Sequence, residues 1–219
     1  MTNTSATGGV LLPNNPPAPQ PLEGQALLRF LQQWLSSVSG LDGKLFLPRW
    51  QTDPPNLPKA ATAWAAVGIS ERKSDIYPYV GHTDSPALAG QVDVLMRNEE
   101  LTLLASFYDM GAGASPGQGG LADLYASQLR DGLSIAQNLE VLTRAGFAFV
   151  QCGEMRSVPS LLKQRWLYRV DMPITVRRQI TRNYPVRTIN EAEAELVAQP
   201  VGSGPNIIID IDAINPGST

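Results

Sequence analysis

Cysteine and histidine each occur once in the 219 residues, as Cys152 and His82. A lone cysteine forms no internal bridge, so the usage predicts folding in a reducing compartment, with Cys152 as a small buried apolar residue. One histidine and one cysteine also fall short of the ligand set of a transition-metal site. An all-carboxylate site near Asp75 and Asp84 stays open, without the spacing of a calcium loop. Net charge is scarce as well: 17 Lys and Arg stand against 20 Asp and Glu, a formal balance of -3. That is too mild for a nucleic-acid binder, and the local group Arg177, Arg178, Arg182 and Arg187 reads as a solvated or intersubunit strand face. No run approaches the ~18 apolar residues of a membrane span. Residues 1–9 lack the basic and apolar regions of a secretion signal. No membrane partner, no sequence-specific nucleic acid, no metal and no cofactor is expected.

What the chain does have is one long alternation. Between Arg165 and Arg182, residues Trp166, Tyr168, Val170, Met172, Ile174 and Val176 fall on one face, and Arg165, Arg169, Asp171, Thr175, Arg177 and Gln179 on the other. This is the period of a strand. About 18 extended residues at ~3.3 Å each reach roughly 55 to 60 Å, whereas a compact chain of this size has a radius of gyration of roughly 17 Å. The strand must bend or leave the domain, and open strand edges favour pairing with another chain.

The remaining pattern divides the chain into a flexible proline-rich arm (residues 1–20), an α/β domain (21–198) and an extended tail (199–219). Pro21 and Glu23 open a helix carrying Leu27, Leu28, Leu31, Trp34, Leu35 and Val38, which Gly40 ends. Residues 45–64 hold four prolines and read as an ordered loop. A strand at 65–70 and a hairpin of 91–96 with 101–109, turning at Asn98, Glu99 and Glu100, follow. The strongest helix runs from Leu121 to Leu142, with Gly132 inside it as a point of close backbone approach and Arg144 and Gly146 at its end. A strand at 147–152 leads into the ribbon. Ile207 to Ile211 near the C-terminus needs cover, from an edge of the same subunit or of a neighbour. The fold class is therefore α/β (α+β): a mixed, mainly antiparallel sheet with a long strand ribbon, packed by two helices.

Two segments invite an enzymatic reading. Gly111, Gly113, Gly117, Gly119 and Gly120 lie between a strand and a helix, where a phosphate cradle would lie. No lysine accompanies them, and the acidic residue of a dinucleotide fold would fall inside the long helix near Glu140. A mobile loop with an assembly role or none is the competing reading. His82, Thr83, Asp84 and Ser85 gather catalytic residue types, but a triad is a spatial arrangement, and a turn with Asp84 bonded to backbone accounts for them.

Two patterns carry a family resemblance. One is Pro48, Arg49, Trp50, Gln51, Pro54, Pro55, Pro58 and Trp64; the other is Trp166, Arg169, Asp171 and residues 172–177. With the order arm, helix, strands, long helix, strand and ribbon, the chain resembles the bacteriophage neck or tail-terminator proteins across most of residues 22–197. The resemblance implies a non-enzymatic virion protein, assembled in the host cytoplasm. It would form a homo-hexameric ring at the head-proximal end of the tail, contact the tail-tube protein and a neck or head-completion protein, and reach the sheath. Trp50 and Trp64 are then expected to anchor the ordered loop. Arg165, Arg169, Asp171, Arg177, Ile207 and Ile209 are expected at subunit interfaces. Another connector, tube or baseplate subunit, or a nucleotide-binding enzyme, are the alternatives.

Overall fold

A computed structural model of the chain describes residues 10–13, 21–50, 63–85, 90–109, 120–158, 160–162, 165–186, 196–198 and 207–209. Helix α1, Gly24–Ser39, places Leu27, Leu31, Trp34 and Leu35 at helical spacing, and all four are buried. It ends at Gly40, whose φ of 71° is the left-handed conformation that glycine adopts without a Cβ clash. The short strand β1, Phe46–Pro48, corrects the expectation of loop throughout the proline-rich segment. It runs parallel to β2, Trp64–Ser74, and Pro48 is tolerated because it is the last residue of an edge strand. Residues 51–62 lie outside the described residues.

β3, Tyr79–Ser85, and β4, Gly90–Asp109, follow. The expected hairpin turn at Asn98–Glu100 is instead the middle of β4. These polar residues pair in register with Gln179, Arg178 and Arg177 of the ribbon, so opposite charges meet where a turn was read. Asn98 is held further by Asp75, whose carboxylate accepts from its backbone and side-chain nitrogens at 2.9 Å each. The segment Gly81–Ser85, read as a turn, belongs to β3, because each of its residues pairs with β4.

The single long helix is two: α2, Leu121–Gly132, and α3, Ala136–Arg144. Gly132 marks the break, and the close approach is real. A Cβ there would stand 2.6 Å from Val38 Cγ1 and 3.1 Å from the Val38 carbonyl oxygen. Asn138 Nδ2 donates to the Gly132 carbonyl at 2.9 Å, satisfying a helix-end acceptor, while Ile135 is extended and starts α3 afresh. Among the described residues, three α-helices therefore pack the sheet in place of the two expected.

β5, Phe147–Cys152, β6, Arg156–Ser157, and β7, Ser160–Leu162, run in succession along one edge of β8, Arg165–Pro185. The order across the sheet is β1-β2-β4-β8-β5, antiparallel except for β1 with β2, which makes the fold α+β with a mixed sheet. On one face Phe46, Leu101, Leu103, Ala105, Phe107, Val170, Met172, Ile174 and Val176 meet the buried residues of α1 and α2 in one core. The ribbon solves its length problem by pairing with β4 from Asp109↔Tyr168 to Val92↔Pro185. Past the ends of β2 and β5, the strands β3, β4 and β8 continue as a three-stranded arm. Separately, β9, Leu196–Ala198, pairs antiparallel with β10, Ile207–Ile209. No described helix is long and apolar enough to cross a membrane.

Candidate assembly surface

The sheet face away from the helices carries a polar chain of contacts. Ser106, fully buried, donates to Asp171 Oδ1 at 2.6 Å and accepts from the Arg49 guanidinium. Asp171 Oδ2 lies 3.0 Å from Arg169 Nη2, and the Asp171 side chain is only 14% exposed. Both carboxylate oxygens are thus engaged within the chain. Arg169 and Asp171, expected at a subunit interface, sit together here as part of the sheet's own polar network. Arg177 stands apart: its side chain is 59% exposed and pairs with Glu100 at 3.2 Å. An exposed pair of this kind contributes about 0–1 kcal/mol, so Arg177 exchanges partners at little cost. It lines a shallow polar cleft with Lys73, Ser74, Asp75, Asn98 and Glu100.

The two tryptophans differ. Trp64 is buried and stacks on Tyr108 with ring centroids 3.9 Å apart, directly across the β2–β4 pair. Trp50 is 64% exposed with φ of 58°, and its ring lies over Gly68, where a Cβ would come within 2.3 Å of it. Arg49 stacks its guanidinium on the same indole at 5.4 Å. Arg165 pairs through its backbone with Leu162, and the side chains of Arg165, Ile207 and Ile209 lie outside the described residues. Ile207 and Ile209 pair through backbone with Ala198 and Leu196 of the same chain.

A charged cluster escaped the sequence reading. Arg178, expected on a solvated or intersubunit strand face, stands instead on the core face between Val176 and Ile180, directly across from Glu99. Arg178 Nη2 lies 2.6 Å from Glu99 Oε2, and Arg178 Nε donates to the same oxygen at 2.7 Å. Its other Nη donates to the Leu22 carbonyl, and the guanidinium covers the Phe147 ring at 5.6 Å. Glu23 joins from the start of α1, within 3.3 Å of Arg178 and Arg182 and 3.5 Å of Arg72. The chain thereby ties α1 to three strands at the base of the arm. The signal was present in the alternation itself, which puts residue 178 on the apolar face.

The segments that invited chemistry are arranged otherwise. Gly111, Gly113, Gly117 and Gly119 lie outside the described residues. At the described end, Asp109 Oδ2 accepts from the Leu121 backbone N–H at 2.8 Å, so the chain's own carboxylate occupies the anion position at the start of α2. Gly120 permits this approach, since a Cβ there would fall 2.4 Å from that oxygen. Replacing Asp109 with Ala should cost about 1–2 kcal/mol of stability as a lost helix cap. In a chain of this size the expected fall in Tm is a few degrees, read by calorimetry. His82 is exposed and its Nδ1 meets the Asp93 carboxylate across the strand pair. Burial holds the Cys152 thiol above its ordinary pKa, with Arg130 opposing, which disfavours the reactive thiolate. Among the described residues no cluster of three or more His, Cys, Asp or Glu is placed to hold a metal ion.

Comparison with known proteins gives a family model described as phage neck terminator protein, which matches residues 25–199. No curated protein matches the chain. The matched span runs from the first turn of α1 to the end of β9, and so includes the whole sheet, its arm and all three helices.

Proposed function

We propose that this chain, which belongs to the phage neck terminator protein family, assembles as a homo-hexameric ring at the head-proximal end of the tail. The family is one of structural phage neck proteins, which supports a structural role for the chain as a virion component. In the ring, the chain ends tube polymerisation and presents its other side to the neck or head-completion protein, with the sheath as a further neighbour. Assembly takes place in the host cytoplasm.

The observation that supports a ring is the three-stranded arm. A domain of this size has no internal need for a sheet that runs on past its neighbouring strands, whereas a cyclic assembly needs two different edges on every copy. Arg177, exposed and loosely paired beside the arm, supplies a charge able to change partners.

Native mass measurement and particle imaging, on the purified protein alone and mixed with tail tubes made without it, test this reading. Six-fold rings, or tubes capped at one end, are the expected result. A protein that stays monomeric and leaves the tubes uncapped would refute it. Removing residues 1–20 is expected to weaken stacking of the ring on its neighbours while leaving the fold, read by far-ultraviolet circular dichroism, intact. Undiminished stacking would dismiss the arm's role.

A further inference from the structure

The edges of the sheet are treated unequally. β1 is three residues long and closes at Pro48. The β5–β7 edge is broken by a register shift between Phe149 and Gln151 and by the non-strand residues 153–155 and 158. Short, bulged and proline-stopped edges are the means by which sheets avoid joining one another. The arm has none of these along its edges except the terminal Pro185 of β8. β3 is a regular seven-residue strand without lysine or proline, paired only with β4. Residues 179–185 of β8 likewise pair only with β4, because β5 begins at Phe147↔Arg178. Among the described residues no strand lies on either outer edge. Large apolar side chains crowd one of them: Ile76 and Tyr77, 86% and 89% exposed, precede β3, and Tyr79 and Val80 within it are exposed too.

From this contrast we infer that β3 of one copy adds to residues 179–185 of β8 in the next, so that the arms form one continuous sheet around the assembly. The inference rests on the ring reading and specifies its joint. A second copy is the occupant because both halves of the joint sit on the same arm and match each other. The uncovered run of β8 is as long as β3. Read across β4, Val80 stands level with Leu95 and Arg182, and His82 with Asp93 and Tyr184.

Direction then decides the symmetry. β3 and β8 are each antiparallel to β4, hence parallel to one another. A two-fold axis would pair β3 with β3 antiparallel and stop at a dimer. A head-to-tail step pairs β8 with the next β3 in parallel and leaves one edge open at each end until the ring closes. Such a step keeps strand direction and height only where the rotation axis runs near the strand direction. Val80 of one copy then comes beside Arg182 of the next, and His82 beside Tyr184. The strands would line the ring wall along its axis.

The test uses full-length chain with Cys152→Ser, carrying His82→Cys and Tyr184→Cys, assembled on tail tubes and mildly oxidised. The expected result is a ladder of covalent multimers on a denaturing gel, absent when either new cysteine stands alone. Hydrogen exchange on the unaltered chain, which does not depend on the substitutions, should slow by roughly tenfold or more at residues 79–85 and 179–185 on assembly. Rings that form without a ladder and without slowed exchange there overturn the pairing and leave the ring reading intact. A covalent dimer from His82→Cys alone overturns it in favour of a two-fold contact. Absence of any ring in images of the unaltered chain overturns both readings together.

Discussion

Replacing Arg178 with Ala is expected to lower stability by about 3–5 kcal/mol. The Arg178 and Glu99 side chains are 3% and 4% exposed, so solvent screens neither. Truncating the arginine strands the Glu99 carboxylate among core residues, removes the donor to the Leu22 carbonyl and uncovers the Phe147 ring. Arg72, 3.8 Å from the other Glu99 oxygen, is too distant and too exposed to replace it. Urea unfolding followed by tryptophan fluorescence measures the change. The double change Glu99→Leu with Arg178→Met is the informative control. It removes both charges and should recover most of the loss, because the desolvation penalty of a buried pair nearly cancels its attraction. If the single and double variants are equally unstable, the stranded Glu99 charge does not carry the effect, and what methionine cannot replace does: the donor to the Leu22 carbonyl and the cation over the Phe147 ring.

Phe107→Ala is expected to cost about 3–5 kcal/mol as well, through a cavity and not a stranded charge. Phe107 is 1% exposed on the central strand β4 and meets Phe46 edge to face, with centroids 6.0 Å apart and planes at 86°. Its loss removes one of the contacts of β1 with the core, beside its pairing with β2 and the Gln32 bond to the Phe46 carbonyl, and leaves a gap under the helices. The same unfolding measurement serves, with an unchanged dependence on denaturant showing that the two-state transition is retained. Because Phe107 and Arg178 lie at different levels of the sheet, the two losses should add to within a few tenths of a kcal/mol. A drop under 1 kcal/mol for Phe107→Ala would mean that the core collapses onto the vacancy.

Local periodicity carried the elements a long way. The alternation of residues 165–182 became β8, Leu27, Leu31, Trp34 and Leu35 became the buried stripe of α1, and Gly40 its left-handed end. Each depends on neighbours within a turn or two, which is the range over which a sequence states its preferences. The resemblance drawn from Pro48 to Trp64 and from the ribbon led to the family that the comparison shows. The errors share a cause in long-range partners. Asn98–Glu100 has the composition of a turn, and only the arginines of β8 lying opposite make it strand. The helix from 121 to 144 is periodic throughout, and only Val38 pressing on Gly132 and Asn138 bonding back to it break it in two.

The same division holds for the assembly surface. Which residues are charged, which alternate and where proline forbids pairing are properties of the chain taken in order. Whether a given arginine is exposed depends on what faces it across the sheet: Arg177 meets water and a loose glutamate, while Arg178, its neighbour, is sealed over Glu99. Whether an edge is open depends on where the adjacent strands stop, which puts β3 and residues 179–185 at the margins of the arm and gives β8 a covered edge lower down. Strand identity is a local matter of side-chain period. Edge identity exists only once the strands are laid side by side, because it is defined by hydrogen-bond partners far away in sequence.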